Sequence, residues 1–351
     1  MLVAIDSARE SVRLETYIYA PDSLGQRFRD ALIKAQQRGA KVRVLYDALG
    51  SLNLPGSFFD PLRQAGGEAR CFNATLLSRF GVRDHRKMLV CDREIAFVGG
   101  FNIANEYDGD GVTSGWCDVG LKIEGSLAAD LADSFEQMFD LALTPQRPFV
   151  RLQKSRSKRT IRAPYEQLLL SGPGRGRSPI KSALRRDLAR ARKVQMVMAY
   201  FLPTWRIRRA LTRVARAGGS VELVLAGKSD VALAQLAGQS LYRRFLRTGL
   251  KIFEYEPQIL HMKLILIDGV VYVGSANLDQ RSLKINYELM LRFENPRMAT
   301  AAADLFQRTK AHSREITLDE WKTRSLWQRI KQRWAYLLLV RMDPRIARLR
   351  S

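Results

Sequence analysis

The sequence predicts an α/β protein of two pseudo-symmetric halves, each a layered α/β/α unit around a mixed, mostly parallel sheet. Three observations predict it. Strand and helix patterns alternate along the chain, one strand–helix–strand unit recurs in each half, and a histidine motif of fixed spacing closes each recurrence. At 351 residues the chain is long enough for each half to bury a core of its own.

The first unit opens on Val12-Arg-Leu-Glu-Thr-Tyr-Ile-Tyr-Ala-Pro21, which reads as a strand running into a loop, and Val194 to Pro203 repeats its shape. In each half an amphipathic helix then closes at a glycine, Leu32 to Gly39 and Leu211 to Gly218. Each helix leads into an apolar strand, Val42 to Leu45 and Val221 to Leu225. A second helix follows, then the strand that carries the histidine, and this alternation argues for mainly parallel strands covered by helices. The expected boundaries are residues 1–150 for the first half, 151–163 for a basic linker without apolar periodicity, and 164–315 for the second half. Residues 316–351 form a basic amphipathic C-terminal region.

In that last region Trp327, Ile330, Trp334, Leu337 and Leu338 fall at helical spacing among Arg329, Lys331, Arg333 and Arg341. Two readings stand side by side: a helix lying in a membrane interface, and a helix docked on its own domain. No segment offers the roughly 18 to 20 uninterrupted apolar residues that cross a bilayer, and no signal-peptide pattern heads the chain.

The charge is the unusual part of the composition: 58 Lys and Arg against 35 Asp and Glu, a formal +23. Such an excess attracts polyanions, whether nucleic acid or an anionic membrane, and its sign alone does not separate them. Cys71, Cys91 and Cys117 are odd in number and irregular in spacing, which suggests neither a disulfide framework nor a zinc knuckle. A reducing, cytoplasm-facing location fits, with Cys91 as a small core residue.

Two of only three histidines open the same pattern. His85-Arg-Lys87-Met-Leu-Val-Cys-Asp92 is followed by Val98-Gly-Gly-Phe-Asn102, and His261-Met-Lys263-Leu-Ile-Leu-Ile-Asp268 by Val273-Gly-Ser-Ala-Asn277. Two such matches among three histidines arise by chance on the order of once in ten thousand. Alternation along a strand puts His at i and Lys at i+2 on one face, where an imidazole and an ammonium reach the same phosphate. Gly100 or Ser275 then lets backbone amides approach an oxyanion, and Asn102 or Asn277 adds an amide donor.

With that spacing the chain resembles the phospholipase D superfamily over nearly its whole length. Leu14-Glu-Thr-Tyr-Ile-Tyr19, Tyr46 to Ser51, Gly99 to Tyr107, Gly274 to Ser282 and Asn286-Tyr-Glu288 resemble the bacterial cardiolipin synthases, of the shorter type without N-terminal spanning helices. The resemblance implies two phospholipase D-like domains with one active site at their interface. One histidine attacks phosphorus and becomes a phosphohistidine, while the other protonates the leaving alcohol and deprotonates the incoming one. His85 is the implied nucleophile and His261 the acid and base, with Lys87 and Lys263 neutralising the phosphate. Asp118 and Glu288 are implied to accept the Nδ1 proton of the histidines, Asp92 and Asp268 to tie strand ends, and Glu15 to line the site. No metal and no cofactor is implied. The implied partners are phospholipid substrates and an anionic phospholipid membrane surface rather than nucleic acid, and the implied place is the periphery of the bacterial inner membrane, on its cytoplasmic face. The resemblance implies transfer from phosphatidylglycerol or a related phospholipid to a second phosphatidylglycerol, and the alternative within the superfamily is a nuclease. One departure is that Met1-Leu2 enter the first helix almost at once, where such synthases usually carry more residues upstream.

Overall fold

In the computed structural model, which describes residues 1–74, 81–143 and 157–342, two sheets carry the chain. The first half runs α1 (Leu2–Ser7), β1 (Ser11–Thr16), α2 (Ser23–Gln37), β2 (Lys41–Asp47), α3 (Asp60–Gln64) and β3 (Glu68–Phe72). The motif strand β4 (Met88–Cys91) pairs with β5 (Ile95–Gly99), β6 (Gly120–Glu124) extends the hairpin, and α4 (Ser126–Leu141) follows. The second half opens with β7 (Arg159–Arg162), β8 (Glu166–Ser171), α5 (Pro179–Arg190), β9 (Lys193–Met198), α6 (Trp205–Arg216) and β10 (Ser220–Ala226). After α7 (Ala232–Gln239), α8 (Tyr242–Leu246) and β11 (Lys251–Tyr255) come the second motif strand β12 (Lys263–Ile267), β13 (Val270–Gly274), α9 (Gln280–Lys284) and β14 (Glu288–Phe293). The chain then forms α10 (Pro296–Ala311), β15 (Ser313–Ile316), α11 (Leu318–Lys322) and α12 (Leu326–Leu337).

The strand orders β3-β2-β1-β4-β5-β6 and β11-β10-β9-β12-β13-β14 superimpose term by term, with β15 added at one edge of the second sheet and β8-β7 at the other. The local causes repeat as well. Gly39 and Gly218 take φ of +100° and +84°, which turns each amphipathic helix back toward its strand in a conformation that a side chain resists. Asp92 and Asp268 hold the reverse end of the motif strands: Asp92 accepts the backbone N–H groups of Arg9, Glu10 and Ser11 at 2.8–2.9 Å, and Asp268 those of Arg192 and Lys193.

The sheets are mixed, but the expectation of mostly parallel pairing is corrected. Only β1–β2, β2–β3, β9–β10 and β10–β11 are parallel among the described strands, and the other pairings are antiparallel. The reason is connection length. Three residues join β4 to β5 and two join β12 to β13, far too few for a helical crossover, so each pair closes as a hairpin. Part of the stretch expected as a linker is strand β7, paired with β8, while residues 151–156 lie outside the described residues.

One core spans the two halves. Leu131 and Phe135 of α4, Ala302 and Phe306 of α10, and Val90, Val98, Leu264 and Val273 of the motif hairpins are buried in a single apolar cluster. Helices α2 on one outer face and α5 and α6 on the other cover the remaining sheet surfaces. Burying α4 and α10 between the sheets fixes the halves against each other, and that rigidity carries the site.

At the C-terminus the amphipathic helix is docked on its own domain along one side only. Gln332 and Ala335 of α12 are buried and the helix packs along α7, whereas Trp327 and Trp334 are 63% and 69% exposed. No helix among the described residues is long and apolar enough to cross a membrane.

Candidate active site

The two histidines face one cavity of about 440 Å³ between the halves, with Asn102, Asn277, Tyr17, Tyr107, Trp116 and Tyr200 in its walls. Backbone pairing sets this convergence. The His85 N–H donates to the Tyr287 carbonyl at 3.0 Å, and the His261 N–H donates to the Cys117 carbonyl at 2.8 Å. Each of these accepting residues immediately precedes a carboxylate. Short parallel bridges, Asp84 with Tyr287 and Cys117 with Leu260, thus stitch each motif to the opposite half.

The carboxylates are therefore exchanged. His85 Nδ1 lies 3.0–3.1 Å from the Glu288 oxygens, and His261 Nδ1 lies 2.7 Å from Asp118 Oδ2. Each imidazole is oriented by an acid from the other half, which fixes the tautomer with the lone pair on Nε2. Neither half is complete alone.

The pair is not symmetric. Ser275 Oγ donates to Glu288 at 2.5 Å, whereas Gly100, the corresponding residue of the first half, has no side chain. A Cβ at Gly100 would lie 2.7 Å from Asp118 Oδ2, so the glycine makes room for the carboxylate. Gly100 and Ser275, expected at the phosphate, instead stand behind the acids and outside the cavity wall. Replacing Gly100 by Ala should displace Asp118 and lower kcat roughly 10²-fold, the scale of a misplaced catalytic group. Steady-state kinetics with kcat near wild type would contradict that steric role.

Lys87 and Lys263 are fully buried. Lys87 Nζ donates to the His85 carbonyl at 2.8 Å, and Lys263 Nζ sits 2.9 Å from both ring nitrogens of His261. Burial pushes their ammonium groups down to about 7 and about 8, and pushes the Glu288 carboxyl up to about 8 against the pull of Lys87. Burial, followed by the neighbouring charges of Lys87 and Lys263, holds His85 well below its ordinary range. His261 falls to about 4, lowered by burial and Lys263 and raised by Asp118. Burial thus favours the neutral ring before substrate binds, and for His85 that is the form a nucleophile requires.

Asn102 and Asn277 are buried in the cavity wall. The Asn102 amide donates to the Tyr107 hydroxyl at 2.6 Å and its oxygen accepts the Ile18 N–H, whereas Asn277 Oδ1 has no protein partner among the described residues. Glu15, expected to line the site, lies instead below it: fully buried, it pairs with Arg86 at 3.1 Å, next to Asp84. Strand alternation explains this, since Glu15 pairs in register with Met88 and points into the layer beneath the motif.

An aromatic cage was not legible in the motifs. Tyr17 meets His85 edge-on at 4.9 Å, and Tyr107 and Trp116 lie 5.4 and 5.6 Å from the His261 ring. The one available signal was the repeated strand-and-loop, which sets Ile18 and Tyr200 at corresponding positions in the wall.

Comparison with known proteins bears on this arrangement. Residues 1–140 and 184–310 match the family described as cardiolipin synthase, PLD-like domain. The chain is 32% identical to cardiolipin synthase 1 of Bacillus anthracis, across 96% of its own length and 69% of that protein's. It is 30% identical to the major cardiolipin synthase ClsA of Bacillus subtilis, across 96% and 72%. The crystal structure of phosphatidylserine synthase from Haemophilus influenzae Rd KW20 shares the fold, with a TM-score of 0.75 at 14% identity over 99% of this chain and 92% of that one.

Proposed function

The chain belongs to the cardiolipin synthase family with phospholipase D-like domains, and from that membership we propose that it transfers a phosphatidyl group from one phosphatidylglycerol to the hydroxyl of another, releasing glycerol. The observation that carries this reading is the single cavity with both histidines on it, each oriented by the carboxylate of the opposite half.

In the proposed first step His261, which takes up a proton at Nε2 when the anionic phosphodiester binds beside it, gives that proton to the headgroup oxygen as His85 Nε2 attacks phosphorus and the phosphorus–oxygen bond to the glycerol headgroup breaks. In the second step His261 takes the proton of the acceptor hydroxyl, whose oxygen displaces His85. Lys87, Lys263 and the amides of Asn102 and Asn277 meet the charge on the phosphoryl oxygens. The asymmetry of the acids supports this division of roles. His261 has the shorter bond to its carboxylate, which favours a transient imidazolium, while burial and the charges of Lys87 and Lys263 hold His85 neutral.

A lipid rather than a nucleic acid fits the walls. Ile18, Leu49, Leu202, Val231, Leu339 and Val340 give the cavity an apolar side suited to acyl chains and to excluding water from the phosphohistidine. Purified protein mixed with phosphatidylglycerol vesicles should yield cardiolipin and glycerol in equal amounts and leave single-stranded DNA intact. Cleaved DNA beside unchanged lipid would replace this reading with that of a nuclease.

We also propose that the chain works on an anionic membrane surface through α12. Its Trp327, Ile330, Trp334 and Leu337 are exposed, cations flank them, and Leu339 and Val340 just beyond its end reach the catalytic cavity. Serine at both Trp327 and Trp334 should weaken co-sedimentation with anionic vesicles roughly tenfold or more without changing thermal stability. Undiminished sedimentation would remove the helix from the membrane contact.

A further inference from the structure

A second cavity, of about 480 Å³, lies one helical turn from the catalytic one. The short helix α9 contributes to both, with Gln280, Arg281 and Ser282 in the catalytic wall and Leu283 and Lys284 in the second. Lys158 and Lys181 are half-buried in this second cavity, and Arg177, Arg185, Arg206 and Lys284 stand exposed around it. No Asp or Glu is among its described lining residues.

Several features mark it as built rather than incidental. Lys158 reaches across from the strand region before β7 and donates to the carbonyls of Gly174 and Gly176, which anchors its ammonium in the cavity. Lys181 sits in the first turn of α5, where the helix dipole already favours a negative guest. Burial lowers both ammonium groups from their ordinary range, helped by Lys181 at Lys158 and by Lys284, Arg206 and Arg185 at Lys181, a crowding of like charge that a bound anion would relieve. None of these six cations lines the catalytic cavity, and the transfer chemistry does not use them.

We propose that this cavity is a second anion site that takes a phosphate group. A ring of Lys and Arg around a pocket of this size suits a phosphomonoester or phosphodiester, with arginine forks on two oxygens and lysines as point charges. The headgroup of an anionic phospholipid and a free phosphate compound share that chemistry. Through α9 its occupancy bears on the wall of the catalytic cavity, and the proposal stands whether or not phosphatidyl transfer is the reaction.

The test uses the full chain, a variant carrying Lys158→Gln and Lys181→Gln, and a control carrying Arg244→Gln and Arg247→Gln in a separate basic groove. Calorimetric titration with inorganic pyrophosphate covers the free source. Sedimentation with phosphatidylcholine vesicles, with and without phosphatidic acid, covers the lipid headgroup. If the site takes free phosphate, wild type and control bind one more equivalent of pyrophosphate than the lysine variant does. If it takes headgroups, pyrophosphate stoichiometry is unchanged, and the lysine variant alone loses roughly tenfold or more of the binding that phosphatidic acid adds. Equal losses in both double variants reduce the effect to overall charge and overturn the site, as does a lysine variant indistinguishable from wild type in both assays.

Discussion

Alanine at either His85 or His261 is expected to lower phosphatidyl transfer by about 10⁴-fold or more, because two residues acting on one phosphorus cannot substitute for each other. The two losses differ in kind. Without His261 the leaving oxygen lacks its proton donor, yet His85 can still attack, so a substrate with a nitrophenol leaving group should recover the first step and leave the phosphatidyl group on His85. Without His85 no adduct forms from any substrate. Peptide mapping after an alkaline quench reads this directly. Transfer near wild type in either variant would refute the two-histidine scheme, and an adduct on His261 would reverse the assignment of roles.

Asp118→Asn should cost roughly 10²- to 10⁴-fold in kcat, since a histidine that loses its Nδ1 acceptor loses its tautomer and orientation while substrate contacts remain. Glu288→Gln should depend on pH, because burial holds the Glu288 carboxyl protonated below about 8. Below that value the glutamine resembles the neutral acid it replaces and the defect is small. As pH rises through 8 the wild-type carboxyl ionises and the defect grows. On the same side kcat/KM of the wild type falls, as Lys87 and Lys263, lowered to about 7 and 8, lose the charge that meets the phosphate. A pH-independent ratio of wild type to Glu288→Gln would show that the carboxyl does not titrate as its burial implies.

The chemistry of the motifs was legible because it is local. His85 and Lys87, or His261 and Lys263, are two residues apart, and a spacing that short survives into the fold whatever surrounds it. The pseudo-symmetry was legible because the strand, the helix with its terminal glycine and the next strand recur in order. The sense of the motif strands was missed, although Asp268-Gly269 is a hairpin signal and three residues after Cys91 leave no room for a crossover. The alternation of strands and helices simply stops at the motif.

What a single half of the sequence does not contain is the exchange of acids. Glu288 lies 203 positions from His85 and Asp118 lies 143 from His261, and no periodicity links residues so distant. They meet because α4 and α10 clamp the sheets together and backbone bridges carry each motif into the other half. Ser275 and Gly100 show the same limit: the step after Val98 or Val273 reads as an anion turn, but in three dimensions it supports one acid and clears space for the other.

The most direct test of a shared phosphorus is a crystal structure of the full chain with orthovanadate, which mimics the five-coordinate phosphoryl group. The vanadium should sit between the rings, with His85 Nε2 as one axial ligand and His261 Nε2 hydrogen-bonded to the oxygen opposite. Vanadate held by one histidine with the other turned away, or bound outside the cavity between the halves, would contradict the account.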